Sequence, residues 1–338
     1  MKAMVLEGPR QLRASQVERP VLGHNEVLVR VTHSGICGTD LHIFEGKIPV
    51  QYPRIMGHEM IGEVVEGEDS RLKKGTRVIV DPAVYCGMCL NCRLGQMNLC
   101  PNGSLVGRDT NGGFADYLVA PRTQVYPLPD SIDNSVAPLI QVATTCMHGQ
   151  HRMDVFPGQS VAVIGLGVAG QIHVELAKVW GAHPVIGITR SAYKRNLAEQ
   201  LGADITLSSG PESVRAVKEA TAGQGADIVI ECTGVPSALA DAINMVRLGG
   251  TILLFGISSA TQMNLPFYQL YFKQLNIVNT RAAVGEDFPP TIDLVGRGAL
   301  NLKPLVTHVV PLLDLEKAIG MLVADEDHRM KIILDNSK

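Results

Sequence analysis

Neither charge dominates the 338-residue chain: 30 Lys plus Arg stand against 33 Asp plus Glu, a formal net charge of −3. Nucleic acid and anionic lipid are bound by clustered positive charge, so neither nucleic acid nor membrane is an expected partner. The chain also lacks any uninterrupted stretch of about 18 to 20 apolar residues, the length a membrane-spanning helix needs. Its first residues, Met1 to Glu7, hold a short apolar run where a secretory leader has roughly 7 to 15 apolar residues. No leader is expected, and a cytoplasmic location follows. Internal repeats, low-complexity tracts and long linkers are absent as well. What remains is an ordinary globular composition, 46% hydrophobic and 19% charged. At roughly 150 residues per domain two domains are expected, each able to bury its own core.

Seven cysteines in a reducing compartment are poor disulfide candidates, so their spacing has to be read for metal binding. Cys86-Gly-Met-Cys89-Leu-Asn-Cys92, followed by Cys100, puts four thiols on one short segment, with Gly and Asn between them to permit tight turns. Four thiolates at such spacing close a tetrahedral zinc shell with no open position. Arg93 is the one basic residue between Cys86 and Cys100, which argues against a zinc ribbon that reads nucleic acid. A second group, Cys37-Gly-Thr39-Asp40-Leu-His42 and then Gly57-His58-Glu59, mixes thiolate, imidazole and carboxylate. Zinc accepts all three, and three protein ligands leave one position for water or a substrate oxygen. Cys146 and Cys232 lie outside both groups and read as small apolar fillers.

From Ser160 to Thr280 short β-branched runs alternate with amphipathic stretches. Strands are expected at Ser160–Gly165, Pro184–Thr189, Asp204–Leu207, Ala226–Glu231, Gly250–Gly256 and Asn276–Thr280, with helices at Val168–Trp180, Ala192–Leu201, Pro211–Thr221 and Ser237–Val246. That alternation builds a Rossmann-type, doubly wound parallel sheet. Gly165-Leu-Gly167-Val168-Ala169-Gly170 falls between the first strand and the first helix, the context in which G-x-G-x-x-G binds a dinucleotide pyrophosphate. The first 145 residues instead carry many short β-like runs broken by Gly, Pro and Asn, an irregular and mainly β pattern. The tail after Pro289 returns to mixed character and is expected to fold back onto the first domain.

Together, Gly35-Ile-Cys37-Gly-Thr39-Asp40-Leu-His42, Gly57-His58-Glu59, the four-cysteine segment, Gly112-Gly113-Phe114-Ala115-Asp116-Tyr117, the Gly165–Gly170 turn and Leu248-Gly249-Gly250 resemble the zinc-dependent medium-chain dehydrogenase family, which includes alcohol, polyol, glucose and threonine dehydrogenases. The resemblance runs over essentially the whole chain. It implies an α/β protein with a Rossmann-type dinucleotide-binding domain (146–284) inserted into a mainly β, GroES-like catalytic domain (1–145 plus 285–338). It further implies Cys37 and His58 as catalytic zinc ligands, Glu59 as a direct or exchangeable one, and Cys86, Cys89, Cys92 and Cys100 around a structural zinc, two Zn²⁺ per chain. Thr39 and His42 match the family's proton-relay positions. The implied reaction is hydride transfer between NAD(P) and a small-molecule alcohol or carbonyl substrate. Self-association as a homodimer or homotetramer is also implied, with the run at Asn276 as a candidate sheet edge.

Two positions depart from the family pattern. Where many relatives place a Cys or Glu zinc ligand, this chain has Gln141, a weak ligand; Cys37 and Glu59 already balance the charge of Zn²⁺, so Glu59 is expected to be the third strong ligand. Some sugar-oxidising members share that Gln, which tilts the substrate expectation toward polyols and sugars. Where an acidic residue usually grips the ribose 2′-hydroxyl of NAD, Thr189-Arg190-Ser191 supplies a guanidinium and hydroxyls, with Lys194 nearby. That exchange favours NADP over NAD. Two other readings stand beside this one. A simple alcohol or aldehyde dehydrogenase of the same family would use Leu41, Ile43, Phe44, Ile48 and Val50 to line an apolar pocket. A cofactor-sensing regulatory protein would have no need of the metal and relay set. Asp40 and Glu45 are open between substrate-hydroxyl binding and helix capping.

Overall fold

The computed structural model describes residues 1–67, 69–324 and 328–337. The chain divides into two compact units, one of residues 1–144, 283–297 and 305–338, the other of residues 145–282 and 298–304.

The first unit opens with β1 (Lys2–Gly8), β2 (Gln11–Gln16), β3 (Glu26–Gly35), α1 (Gly38–Phe44), β4 (Arg54–Ile55), β5 (Glu59–Glu66), β6 (Arg77–Val80) and β7 (Ala83–Val84). A short α2 (Leu90–Arg93), β8 (Ser104–Leu105), β9 (Tyr117–Pro121) and β10 (Val125–Pro127) follow, and α3 (Leu139–His151) carries the chain from the first unit into the second. The second unit holds β11 (Val161–Ile164), α4 (Val168–Val179), β12 (Val185–Ile188), α5 (Ala192–Gln200), β13 (Ile205–Leu207), α6 (Pro211–Ala220), β14 (Ala226–Glu231), α7 (Pro236–Met245), β15 (Val246–Leu254), α8 (Phe267–Phe272) and β16 (Asn276–Asn279). The chain then returns to the first unit through α9 (Phe288–Gly296), β17 (Val306–Pro311), α10 (Leu315–Val323) and β18 (Lys331–Asp335).

In the second unit the sheet order is β13-β12-β11-β14-β15-β16, and every pairing is parallel. The order reverses between β11 and β14, the place where such sheets open a crevice for a ligand. The strands read as unbroken apolar runs because both faces are covered. Ala162, Ile164, Ile186, Val229 and Ile252 feed one core cluster, while their neighbours Val161, Val163, Val185, Ile228, Ile230 and Leu253 feed the other. Each Val, Ile or Leu among them contributes about 1.5–3 kcal/mol by leaving water. Local signals agree with the helices: Ser191 caps α5 by accepting from the Lys194 N–H, and Pro211 opens α6 where its missing N–H costs nothing.

The first unit is built on a mainly antiparallel seven-stranded sheet of order β10-β6-β5-β3-β18-β17, with β9 also paired to β3. The tail enters it directly, since β18 pairs antiparallel with β3 through Ile333–Gly35, Leu334–Ser34 and Asp335–His33. Val27, Val29, Val31, Met60, Val64, Val78 and Leu118 form one core. A second core joins Leu6, Ile36, Ile43, Met56 and Phe114 to Leu312, Leu315, Ile319, Ile332 and Leu334 of the tail. Residues 305–338 therefore complete the first unit's interior rather than decorate it.

Candidate active site

Three separated pieces of chain meet at Cys37. β3 ends at Gly35, and Cys37 caps α1 in an extended conformation (φ −110°, ψ 160°). Asp40, wholly buried in the first turn of α1, accepts the Cys37 N–H through Oδ2 at 2.9 Å. Its other oxygen lies 3.4 Å from His58 Nδ1. His58 immediately precedes β5 and Glu59 starts it, standing opposite Gly35 in the β3–β5 register. A Cβ on Gly35 would come within 2.1 Å of Glu59 Oε2, so the glycine is what lets this carboxylate lie across β3. The Cys37 sulfur, a His58 ring nitrogen and a Glu59 oxygen end up within 4.8 Å of one another.

β18 supplies a fourth component. Lys331 Nζ lies 2.8 and 2.6 Å from the two Glu59 oxygens and donates to the Ile36 carbonyl at 3.1 Å, with both side chains buried. Burial opposes its ammonium form, but Glu59 first, then Cys37 and Asp40, outweigh that and hold its pKa above the usual lysine range. At His58 burial likewise disfavours the cation, yet the Asp40 carboxylate and the Cys37 sulfur raise its pKa well above the ordinary value. The cluster thus attracts positive charge. With Cys37 as thiolate, Asp40 and Glu59 ionised and Lys331 protonated, three anions and one cation leave two negative charges, which one Zn²⁺ would neutralise. Asp40 Oδ1 faces His58 Nδ1 at 3.4 Å and leaves Nε2 for a metal, the carboxylate–histidine order common behind zinc. The residues therefore fit a zinc with three protein ligands and an open position.

The four-cysteine segment forms a different site. Sulfur separations are 3.4 Å for Cys89–Cys92, 3.9 Å for Cys89–Cys100 and 3.6 Å for Cys86–Cys100. Four sulfurs at Zn–S bonds of about 2.3 Å stand roughly 3.8 Å apart at the corners of a tetrahedron. All four lie within 4.8 Å of one another. N–H groups of Met88 and Cys89 aimed at Cys86 pull its pKa down to about 6, whereas burial pushes Cys92 up to about 12. Four thiolates therefore need a cation among them, and the residues fit zinc in a closed shell.

In the second unit Gly165 (φ +90°) ends β11 and Gly167 caps α4. No side chain caps this helix start, so its first N–H groups are available to a ligand. A Cβ on Gly167 would meet nothing within 4 Å, and a Cβ on Gly170 would fall 1.9 Å from the Gly165 carbonyl. Open space above and tight packing below fit a pyrophosphate on the turn.

The chain matches the family model for the alcohol dehydrogenase GroES-like domain over residues 23–130 and that for the zinc-binding dehydrogenase over residues 168–297. It is 34% identical to L-threonine 3-dehydrogenase of Paraburkholderia phymatum, with 99% of each chain covered. The chain belongs to the zinc-dependent medium-chain dehydrogenase family. L-galactonate-5-dehydrogenase of Escherichia coli K12 is 32% identical, with 93% of each covered. Among solved structures, a Sinorhizobium meliloti 1021 protein bound to NADP and described as a zinc-binding dehydrogenase superposes with a TM-score of 0.91 at 30% identity, covering 99% of this chain and 98% of that one. An Escherichia coli CFT073 alcohol dehydrogenase complexed with NADH gives 0.92 at 29%, with 99% of each covered.

On this medium-chain dehydrogenase framework the remaining sequence candidates can be placed. Thr39 and His42 sit three residues apart on α1, hence on one face, and His42 is 51% exposed. Ser191 is engaged as the α5 cap, Arg190 is exposed, and Lys194 lies in the first turn of α5, its carbonyl accepting from Gln171. Gln141 lies on α3. Asp40 is wholly buried and accepts the Cys37 N–H, which decides between its two readings in favour of helix capping. Glu45 pairs with Lys47 at 2.7 Å and Arg10 at 3.3 Å. Of the residues suggested for an apolar pocket, Ile43 is a core residue, and Leu41, Phe44, Ile48 and Val50 are partly buried and pack against the same core. Lys331 is the component that sequence reasoning missed. Its one local signal is a lysine opening an otherwise apolar strand, Lys331-Ile-Ile-Leu.

Proposed function

We propose that the chain is a zinc-dependent oxidoreductase that moves a hydride between a nicotinamide dinucleotide and a secondary alcohol or its ketone, with polyols or sugars as preferred substrates. The observation that carries this reading is the gathering of Cys37, His58 and Glu59 around one point, backed by Asp40 and Lys331. In this reading the first unit is the catalytic domain and the second the dinucleotide-binding domain. Cys37, His58 and Glu59 hold the catalytic ion, and Cys86, Cys89, Cys92 and Cys100 the structural one.

Zinc at Cys37 would supply a Lewis acid for the substrate oxygen, and bound nicotinamide the hydride acceptor. The Thr39 hydroxyl both donates and accepts, so it passes the alcohol proton outward. His42, half-exposed on the same helix face, exchanges that proton with water. The exposed Arg190 and the hydroxyls beside it favour a 2′-phosphate, so NADP is the assigned cofactor. β16 lies at the outer edge of its sheet with Asn276, Ile277 and Asn279 exposed, and offers that edge to a second copy in a homodimer or homotetramer.

The test is cofactor reduction and oxidation by zinc-replete protein, with NAD and NADP each offered polyols, sugars, amino alcohols, simple alcohols and the matching carbonyls. Turnover of a polyhydroxylated substrate with NADP is expected; turnover of simple alcohols alone would reject the substrate class. Arg190→Ala is expected to lower the ratio of NADP to NAD efficiencies, and an unchanged ratio would reject the cofactor assignment. Glu59→Ala is expected to lose catalytic zinc while Gln141→Ala retains it, and the reverse outcome would move the third ligand to Gln141.

A further inference from the structure

Glu231 ends β14 beside the point where the sheet order reverses, and it is 3% exposed. Its carboxyl group is turned onto the loop that follows. Oε1 accepts the Thr233 N–H at 2.6 Å, and a short bond joins it to the Thr233 hydroxyl. The Gly234 N–H lies 3.0 Å from Oε2 and 3.2 Å from Oε1. The Thr233 hydroxyl in turn accepts the Val235 N–H at 3.0 Å, so its own proton is the one directed at Glu231. Three consecutive N–H groups at the end of a parallel strand, where a ligand's phosphate or ribose would be met, are thus directed inward.

Backbone bonds fix the same place from the other side. Cys232 N–H donates to the Ile164 carbonyl at 2.9 Å, and the Glu231 carbonyl accepts from Phe255 and Gly256 at 2.9 and 2.8 Å. A Cβ on Gly256 would lie 2.1 Å from the Gly234 nitrogen, so the ends of β14 and β15 leave no slack. The result falls on the glycine turn. A Cβ on Gly165 would stand 2.5 Å from the Thr233 γ-methyl, which means that this methyl fills the space beside the turn.

We infer that Glu231 is a positioning residue for the dinucleotide: by holding the loop at residues 232–235, it seats Thr233 against Gly165 and fixes the glycine turn in the form that receives a pyrophosphate. This rests on the reading of the second unit as the dinucleotide-binding domain. Glu231 does not touch the cofactor in this account. It removes the loop's freedom beforehand, so that binding does not have to order it. Replacing one carboxyl oxygen by an amide sets a donor against N–H groups and leaves at least one buried donor without its acceptor.

The experiment is titration of zinc-replete protein with NADPH, NADH and ADP-ribose, with cofactor KM and kcat measured beside it. For Glu231→Gln the Kd of all three is expected to rise in parallel by roughly tenfold, the size of one lost buried acceptor. Cofactor KM should follow, while kcat at saturation and zinc content stay near wild type. A merely structural role would lower the midpoint and leave Kd unchanged in the folded fraction, and that outcome would overturn the proposal. Should Glu231→Gln fail to fold, Thr233→Val keeps a methyl against Gly165 and deletes the hydroxyl, which is both the donor to Glu231 and the acceptor of the Val235 N–H. A rise in Kd of about threefold would then support the proposal, and an unchanged Kd would overturn it. Wild-type protein that binds none of the three ligands would break the dinucleotide reading itself, a result distinct from wild-type affinity in the variants.

Discussion

The two candidate zinc sites lie in the same unit and are built on opposite plans. Around Cys86 all four ligands come from one fifteen-residue segment of turns and a four-residue helix, flanked by the exposed Met88, Leu90 and Leu94. That segment has little core of its own, and without a cation its buried Cys92 thiol resists ionisation. Around Cys37 the ligands come from the start of α1 and the start of β5, and their supports from α1 and from β18, some 270 residues further on. Here the fold holds the ligands in place before any ion arrives. The first plan suits an ion that builds local structure. The second suits an ion whose geometry must be set by the protein and left open on one side.

If that contrast is right, removing a ligand from the lobe has the largest structural effect. Cys92→Ser is expected to lower zinc content from two to one per chain and to expose the segment between Cys86 and Cys100 to proteolysis. The stabilisation at stake is on the order of 10 kcal/mol, that of structural zinc in small domains. Retention of two ions with unchanged cleavage would erase the contrast. At the other site the fold itself should suffer when a support is removed. Lys331→Met leaves Glu59 buried without its partner and is expected to cost about 3–5 kcal/mol in denaturant unfolding, with much of it restored in the Lys331→Met/Glu59→Gln double variant. Equal loss in the single and double variants would show that packing, not charge, is what Lys331 supplies.

Asp40→Asn tests the support behind His58 more gently. A chelator competition should show about 10–100-fold weaker zinc binding at the Cys37 site and none at the lobe. The smallest effect on either site is expected from Glu175 of the second unit, a buried carboxyl without a Lys331. Its partner is the Asn301 N–H at 3.0 Å, and burial pushes its pKa up to about 8 from the usual 4.5. A raised folded-state pKa means that its stabilising contribution is complete below pH 4.5 and is lost as pH rises through 8. Glu175→Gln should flatten stability across that window and leave both zinc sites full, as read by thermal unfolding and metal analysis.

The same contrast explains what could be read from the chain alone. The lobe is contiguous, so its spacing is its geometry, and the glycine turn is likewise local to one strand–helix junction. The doubly wound sheet was legible because its strands are continuous apolar runs separated by amphipathic helices. Cys37, His58 and Glu59 could be proposed from their chemistry and from family resemblance. Lys331 could not, since its role depends on β18 pairing with β3, and nothing in a lysine before three apolar residues tells which carboxylate it meets. Asp40 was ambiguous for a similar reason: a carboxylate three residues past Cys37 caps a helix in any fold, and its neighbour His58 comes from a distant segment just before β5. Ile43 could not be assigned to the core before the tail residues that share that core were placed.

The most direct test of the account is metal content and NADP-linked alcohol turnover measured together on wild type and Cys37→Ser. Two zinc ions per wild-type chain, one in the variant, and loss of at least about a thousandfold in turnover with the fold intact are predicted, the scale of a lost Lewis acid. Two ions in the variant, or turnover within a few fold of wild type, would contradict the assignment of Cys37, His58 and Glu59 as the catalytic metal centre.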